Sequence, residues 1–241
     1  MLELESSCKR ILPSVFAAPV GAKYLPLTLL SQPTSPLALS SSDQSSLRRT
    51  AVIVALMAAG ETVFLLPFVL ARIFRPTFLD VFEITNLELG IAFSAYGMVA
   101  MAAYFAGGPL ADRYSARSLM TTALVTTGLG GIVLSTIPTP EVMNVLWGVW
   151  GATTILLFWS AMLRATREWG GPHTQGRAYG LLDGGRGLLA ALIASAAVLV
   201  FAVLLPVAAD VATPEQRADA FSGVIWAFTG FTLLVAALVW L

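Results

Sequence analysis

The chain has very few of the residues that build disulfides, metal centres and solvated surfaces. Of its 241 residues, one is a cysteine, one is a histidine, and only 12% are Asp, Glu, Lys or Arg. Soluble domains carry roughly 25% charged residues. The lone Cys8 excludes a disulfide within the chain, and with the lone His173 it excludes a metal site built from Cys and His clusters. We therefore expect no metal and no cofactor. We also expect no nucleic-acid partner, although the zero net charge by itself says nothing about partners.

Apolar residues are abundant and fall into six long runs. They make up 57% of the chain, and the mean hydropathy is +0.80. A helix needs about 20 apolar residues to cross ~30 Å of hydrocarbon. The runs that reach this length are Ala51–Phe74, Gly90–Ala111, Leu119–Ile137, Val142–Ala165, Leu181–Leu205 and Phe221–Leu241. They are continuous rather than alternating, so the sequence predicts an all-α membrane protein with six transmembrane helices in the lipid bilayer.

Residues 1–50 differ from the rest of the chain. Ser and Pro crowd the stretch from Ser31 to Ser46, and no helical or strand period is sustained. Glu3 and Glu5 occupy the place where a signal peptide would be basic. We interpret residues 1–50 as a disordered cytoplasmic tail, with a misassigned start as the alternative, and residues 51–241 as the six-helix bundle.

Arginines are distributed unevenly between the loops. With the N-terminus inside, seven arginines fall in the cytoplasmic segments: Arg48, Arg49, Arg113, Arg117, Arg164, Arg167 and Arg177. Three fall outside: Arg72, Arg75 and Arg217. Cytoplasmic loops carry an excess of Lys and Arg. The sequence therefore predicts an inner-membrane protein with both termini in the cytoplasm.

A short charged hinge separates the second and third apolar runs. It reads GGPLADRYSAR over Gly107–Arg117. It resembles the loop between the second and third helices of major facilitator superfamily transporters, of the form G-x-L-[AS]-D-R-x-G-[RK]-[RK]. Gly108, Asp112, Arg113 and Arg117 match this motif. The resemblance implies a conformational latch, in which the Asp lies near helix ends of the opposite half and the Arg pairs with carboxylates. The alternative is that the arginines only anchor the loop inside.

Two positions of the hinge depart from the motif, and a second stretch supports the resemblance. Ser115 stands where the family usually has Gly, and Ala116 where it has the first basic residue. The residues QGRAYG, ending at Gly180, are similar to the family's R-G-[RK]-A-x-G before helix five. The resemblance spans roughly residues 50–241. It implies the N-terminal half of a twelve-helix transporter, truncated within helix six, with a missing C-terminal six-helix half.

That resemblance implies a function as well as a fold. The chain would move a small polar or anionic solute by alternating access, together with the missing half. The alternative is a non-transporting half-bundle, either a subunit or a truncated remnant. An intramembrane protease is excluded, because His173 lies in a polar loop and no H-E-x-x-H occurs. We therefore expect a protein that is not an enzyme and has no catalytic residues.

Glu61 lies near the middle of the first apolar run. A carboxylate at bilayer depth costs at least a few kcal/mol, so it should face the bundle interior or a water-filled cavity. Reversible protonation there is what proton symport requires, and several proton–sugar symporters of the family carry an acidic residue in helix one. The alternative is a permanently protonated Glu61 that bonds to a neighbouring helix.

Helix five opens with a charged pair. Asp183 and Arg186 are three residues apart, so they share a helix face and can form an ion pair. Arg186 is also a candidate for binding an anionic substrate. The nearby Gly180, Gly184 and Gly187 are spaced for close helix packing.

Further polar and aromatic residues lie deep in the predicted helices. The cavity candidates are Tyr96, Thr153, Thr154, Trp159, Trp226 and Thr229. Threonines in membrane helices also bond their own backbone, which is the alternative for all three. Trp147, Trp150 and Trp240 are interpreted as interfacial belt residues.

The topology prediction can be tested by cysteine labelling. In a variant with Cys8 removed, single cysteines are placed at Ser115 and at Thr139. Because the arginine bias puts residue 115 inside, an impermeant thiol reagent should label intact cells at position 139 only. Labelling at 115 but not at 139 would reverse the orientation and contradict the motif assignment.

Overall fold

The computed structural model describes residues 41–207 and 211–241, and within these ranges it contains helices and no strand. The predicted tail over residues 1–40 lies outside the described residues. The helices are α1 (Ser41–Thr62), α2 (Leu70–Ile73), α3 (Arg75–Val81), α4 (Asn86–Arg113), α5 (Ala116–Leu134), α6 (Pro140–Ala152), α7 (Ser160–Gly170), α8 (Gln175–Leu204) and α9 (Pro214–Trp240). Two π-helical segments, Leu65–Val69 and Thr153–Trp159, join α1 to α2 and α6 to α7.

Six helical spans are long and apolar enough to cross a membrane, which confirms the predicted all-α, six-helix fold. They are Ser46–Ile73, Asn86–Arg113, Ala116–Leu134, Pro140–Gly170, Gln175–Leu204 and Pro214–Trp240. The first helix begins at Ser41, so the boundary predicted after residue 50 lies inside it. The prediction counted apolar residues alone, whereas the polar stretch that starts with Ser41 belongs to the first turns of the helix.

Side-chain caps fix where several helices begin. Thr85 and Glu88 form a capping box at the start of α4, with the Glu88 N–H donating to Thr85 Oγ1 at 3.2 Å. Ser115 caps α5 by accepting a bond from the Ser118 N–H at 3.1 Å. Such caps contribute about 1 kcal/mol each. Ser115 therefore has a local structural reason to replace the glycine of the motif.

The spans pack in pairs, α4 along α6 and α5 along α9. Gly151 makes the first pairing possible. A Cβ at this position would overlap the carbonyl oxygen of Tyr96, so the two backbones touch without a side chain between them. By contrast, Gly180, Gly184 and Gly187 face open space, and α8 is the most exposed span. Within the described residues, these three glycines therefore make no close helix contact, and the packing that their spacing allows stays a prediction.

Two tryptophans of α6 form the centre of the larger apolar core. Trp147 and Trp150 are fully buried, and their rings meet edge to face with centroids 4.8 Å apart. Trp147 Nε1 donates to the Pro67 carbonyl at 3.0 Å, and Trp150 Nε1 donates to the Thr127 carbonyl at 3.4 Å. Their assignment to the interfacial belt was wrong. They lie about two to three helical turns beyond Pro140, which is deep enough to meet backbone acceptors of other spans.

One end of the bundle gathers most of the arginines, and we call it the arginine-rich end. Arg49 Nη2 donates to the Trp169 carbonyl at 3.1 Å, while Trp169 Nε1 donates to the Arg49 carbonyl at 2.8 Å. The guanidinium carbon of Arg49 also lies 4.7 Å from the centre of that indole ring. This reciprocal contact ties the first span to the end of the fourth.

Arg164 joins the fourth span to the second at the same end. Its Nη1 donates to the carbonyls of Ala111 and, at 3.4 Å, Tyr114, at the C-terminus of α4. Its Nε lies 2.7 Å from Glu168 Oε1. A cation is favoured at a helix C-terminus, where carbonyls lack partners. Arg164 therefore caps a neighbouring helix, a role that its position in the sequence did not indicate.

The buried indole bond of Trp147 should be measurable. Trp147→Phe keeps most of the apolar bulk but leaves the Pro67 carbonyl without this donor, so we expect a loss of about 1–2 kcal/mol in the free energy of unfolding. The matched control is Trp240→Phe, because Trp240 is 56% exposed. Equal unfolding curves for the two variants in detergent micelles would contradict the assigned role of Trp147.

The capping role of Arg164 gives a second prediction. Arg164→Gln removes charge-assisted bonds to α4, so the free energy of unfolding should fall by about 1.5–3 kcal/mol. Arg167→Gln removes the same charge from an exposed site on the same helix and should change stability by no more than about 0.5 kcal/mol. A loss of equal size in both variants would show that net charge, and not the cap, is responsible.

Candidate functional site

Two interruptions of α-helical geometry flank the centre of the bundle. The first span turns π-helical at Leu65–Val69, a segment that contains Pro67, which has no N–H to donate. The fourth span does so at Thr153–Trp159. Short π segments inside α-helices are rare and occur frequently at functional sites. Glu61 lies one turn before the first segment, and Trp159 ends the second.

The structure brings Glu61 and Arg186 together across two spans. Arg186 Nη2 of α8 lies 4.0 Å from Glu61 Oε2 of α1. Both side chains are largely buried, with 10% of Glu61 and 18% of Arg186 exposed. Arg186 Nη1 also lies 3.4 Å from Asp183 Oδ1, but Asp183 is 71% exposed. A buried pair is far less screened by solvent than an exposed one, so Glu61 is the stronger electrostatic partner of Arg186.

Two aromatic rings complete the surroundings of the guanidinium. Its central carbon lies 5.7 Å from the centre of the Trp159 ring and 6.0 Å from that of Phe64. The two rings contact each other edge to face at 6.3 Å. Aromatic faces attract a cation within about 6 Å. We call Glu61, Phe64, Trp159, Asp183 and Arg186 together the guanidinium site.

The guanidinium of Arg186 has more donors than acceptors within reach. Its buried Nε has no hydrogen-bond partner among the described residues. The 4.0 Å separation from Glu61 is too long for a direct hydrogen bond. Arginine presents five N–H donors, and among the described residues the hydrogen bond given for this guanidinium is the one from Nη1 to Asp183 Oδ1.

Gly60 sets the distance between the two charged helices. A Cβ there would lie 2.9 Å from both Arg186 Cδ and Met162 Sδ, which is too close for unshifted atoms. Because Gly60 has no side chain, the aliphatic part of the Arg186 side chain can pass over α1 beside Glu61. Phe64 and Gly60 were not predicted as site residues, although Phe64 lies three residues after Glu61 and thus on the same helix face.

The side chains of Tyr96 and Thr154 contact each other between the second and fourth spans. Their hydroxyl oxygens are 2.7 Å apart, and the Tyr96 ring packs edge to face on Phe68 at 4.6 Å. Thr154 Oγ1 also donates to the Trp150 carbonyl at 2.6 Å. Thr153 Oγ1 donates to the same carbonyl at 3.4 Å. Both threonines thus bond their own helix, as the alternative interpretation stated.

Two other candidates stand apart from the guanidinium site. Trp226 is 51% exposed on α9, and no ring contact or hydrogen bond joins it to that site within the described ranges. Thr229 is buried, and its hydroxyl has no partner in the same part of the chain. The structure therefore supports Glu61, Trp159 and Arg186 as one group, and it leaves Trp226 outside.

The hinge motif lies at the arginine-rich end. Gly108 has open space around it, and Asp112 and Arg113 are exposed. Neither of these two side chains has a hydrogen bond or ion pair with the described residues. Arg117 Nη1 donates to the Trp240 carbonyl of α9 at 3.1 Å and, among the described residues, pairs with no carboxylate. The two arginines of the hinge thus differ, because only Arg117 is tied to this bundle.

Two proteins of Escherichia coli strain K12, "Inner membrane protein YihN" and "Inner membrane protein YqcE", are 29% identical over 154 residues and 30% identical over 162 residues. These alignments cover 64% and 67% of this chain. A Mycoplasma pneumoniae protein, "Uncharacterized protein MG294 homolog", is 27% identical over 210 residues, or 79% of this chain.

The chain covers 36%, 38% and 43% of the lengths of these three relatives. No solved structure matches it. The sequence pattern of the Major Facilitator Superfamily matches residues 47–241, which include all six spans but the first residue of the first. The chain therefore belongs to the Major Facilitator Superfamily.

Proposed function

We propose that this chain forms one six-helix half of an inner-membrane secondary transporter for a small anionic solute. The family membership supports the transporter class. The names of the two Escherichia coli relatives support the inner membrane as the location. A second half, of the kind implied by the greater length of the relatives, would face this one. Both termini of the six-helix region would lie in the cytoplasm.

The partly unpaired guanidinium of Arg186 carries this proposal. It lies within the bundle, against the middle of the first span, with an unpartnered Nε and two aromatic rings beside it. Transporter sites lie near the bilayer midplane, where the two halves meet. A carboxylate or phosphate of the solute would fill the donors that Glu61 and Asp183 leave open. Trp159 and Phe64 would pack on the apolar part of the solute.

Glu61 gives the site a means of coupling to protons. When Glu61 is ionised, it neutralises Arg186, and an incoming anion must compete with it. When Glu61 takes up a proton, Arg186 is left with a net positive charge that the anion can balance. A buried, uncompensated charge is strongly unfavourable. Proton and anion therefore bind together, which is the requirement for symport.

The hinge motif would act at the contact with the second half. Asp112 and Arg113 are exposed and unengaged in this bundle, so they are available to helix ends of the other half. Arg117 would hold the hinge to α9 while they do so. The exposed small residues along α8, Gly180, Gly184 and Gly187, would offer the second half a smooth surface for close approach.

Glu61→Gln tests the coupling of proton and solute movement. The experiment uses proteoliposomes that contain the complete protein, including any sequence that adjoins these 241 residues. The probes are a panel of small carboxylates and phosphate esters, and a trapped dye reports internal pH. With the wild type, inward movement of one panel member should acidify the lumen. Because glutamine cannot ionise, Glu61→Gln should abolish acidification and gradient-driven accumulation while solute exchange continues.

Two further variants make the outcome specific. Arg186→Gln should lose both accumulation and exchange, since the anion has no counter-charge. Glu141→Gln removes an exposed carboxylate at the opposite end and should behave as the wild type. Unchanged solute accumulation in Glu61→Gln would show that Glu61 is not the proton-coupling residue. Unchanged solute exchange in Arg186→Gln would show that Arg186 does not bind the anion.

A further inference from the structure

A second recess lies at the arginine-rich end, away from the guanidinium site. It has a volume of about 430 Å³ and lies between the first span, the start of α5 and the end of α9. Its walls are made of alanine, valine, leucine and methionine side chains, among them Ala55, Leu56, Met120 and Val239. Neither Glu61 nor Arg186 lines it. We call it the end cavity.

Among the described residues, the charged side chains that line the end cavity are those of Arg48 and Arg117. Arg48 comes from the first span, where it is exposed and has no hydrogen bond or ion pair with the described residues. Arg117 comes from the start of α5 and uses only Nη1, on the Trp240 carbonyl. Arginine has five N–H donors in a planar fork, so both side chains keep donors for an anion. No Asp or Glu of the part of the chain that the structure describes lines the cavity to neutralise them.

We propose that the end cavity binds one anionic phospholipid. The headgroup phosphate would bridge Arg48 and Arg117, and an acyl chain would lie along Ala55, Leu56 and Met120. This combination of basic mouth and apolar walls fits an amphiphile, because a free anion would leave the apolar walls uncovered. Basic pockets between membrane helices bind acidic lipid headgroups. The arginines stand at helix ends, which is the level where headgroups meet acyl chains.

The site is independent of solute transport. It shares no residue with the guanidinium site, and the described residues that line it all belong to this bundle. Its occupation would join the first, third and sixth spans at the arginine-rich end. A lipid held there would supplement the Arg117–Trp240 bond, which links α5 and α9 but does not reach the first span.

Lipid titration with native mass spectrometry tests the proposal on the purified 241-residue chain. The probes are phosphatidylglycerol and phosphatidylcholine with the same acyl chains. We expect one phosphatidylglycerol to bind in preference to phosphatidylcholine. Each of Arg48→Gln and Arg117→Gln should weaken its binding about fivefold, the effect of removing one arginine near an acidic headgroup. Arg117→Lys should restore most of the affinity, because it restores the charge.

Two other variants separate the cavity from general surface charge. Arg113→Gln removes an exposed charge from the same hinge, but Arg113 does not line the cavity, so binding should be unchanged. Ala55→Phe fills the cavity without altering charge and should weaken binding at least as much as Arg117→Gln. If Arg117→Gln fails to fold, Arg48→Gln and Ala55→Phe still decide the matter.

Three results would overturn the proposal. Equal binding of the two lipids would show that the arginines select no acidic headgroup. Equal losses of phosphatidylglycerol binding in Arg113→Gln and Arg117→Gln would show that overall surface charge, and not the cavity, is responsible. Displacement of phosphatidylglycerol by inorganic phosphate at equal concentration would show a free-anion site in which the apolar walls take no part.

Discussion

Arg186 carries a buried guanidinium, and the packing around it depends on how its charge is neutralised. Arg186 enters the bundle from α8 and meets one carboxylate in the interior and another at the surface. Moving a charge out of water is costly unless counter-charge and hydrogen bonds replace the solvent. Glu61 supplies the charge but stands too far away to complete the hydrogen bonds. Among the described residues, the guanidinium therefore has fewer hydrogen-bond acceptors than donors.

The two π-helical segments shape the surroundings of Arg186. The π segment of the fourth span ends at Trp159, whose ring lies beside the guanidinium. The π segment of the first span contains Pro67, whose carbonyl accepts the buried Trp147 indole bond. In a bilayer every unpaired backbone group needs a partner inside the protein. The tryptophans near the core thus support helices that depart from regular geometry next to the site.

Hydropathy was sufficient to predict six spans and their order, because crossing a bilayer demands length and apolarity of each helix separately. The Asp183–Arg186 pair also follows from spacing within one helix. The Glu61–Arg186 approach does not, since it depends on Gly60 and on how α1 packs against α8. Trp147 and Trp150 were assigned to the interface for the same reason: a single sequence shows that a tryptophan is near a helix end, but not which carbonyl another helix will offer it. The π segments have no signal in hydropathy at all.

The π segment at Thr153–Trp159 has a consequence for what a deletion in this span would do. A π segment holds one residue more than the α-helix would need to cover the same path, so it behaves as a single-residue insertion. Removing one residue would restore regular α-helical geometry without displacing the helix beyond it, so only side chains within the segment would change direction. The contacts at stake are those of Thr154 with Tyr96 and of Trp159 with the Arg186 guanidinium. Loss of one residue here would thus alter the surroundings of the guanidinium site while leaving the six-span fold intact.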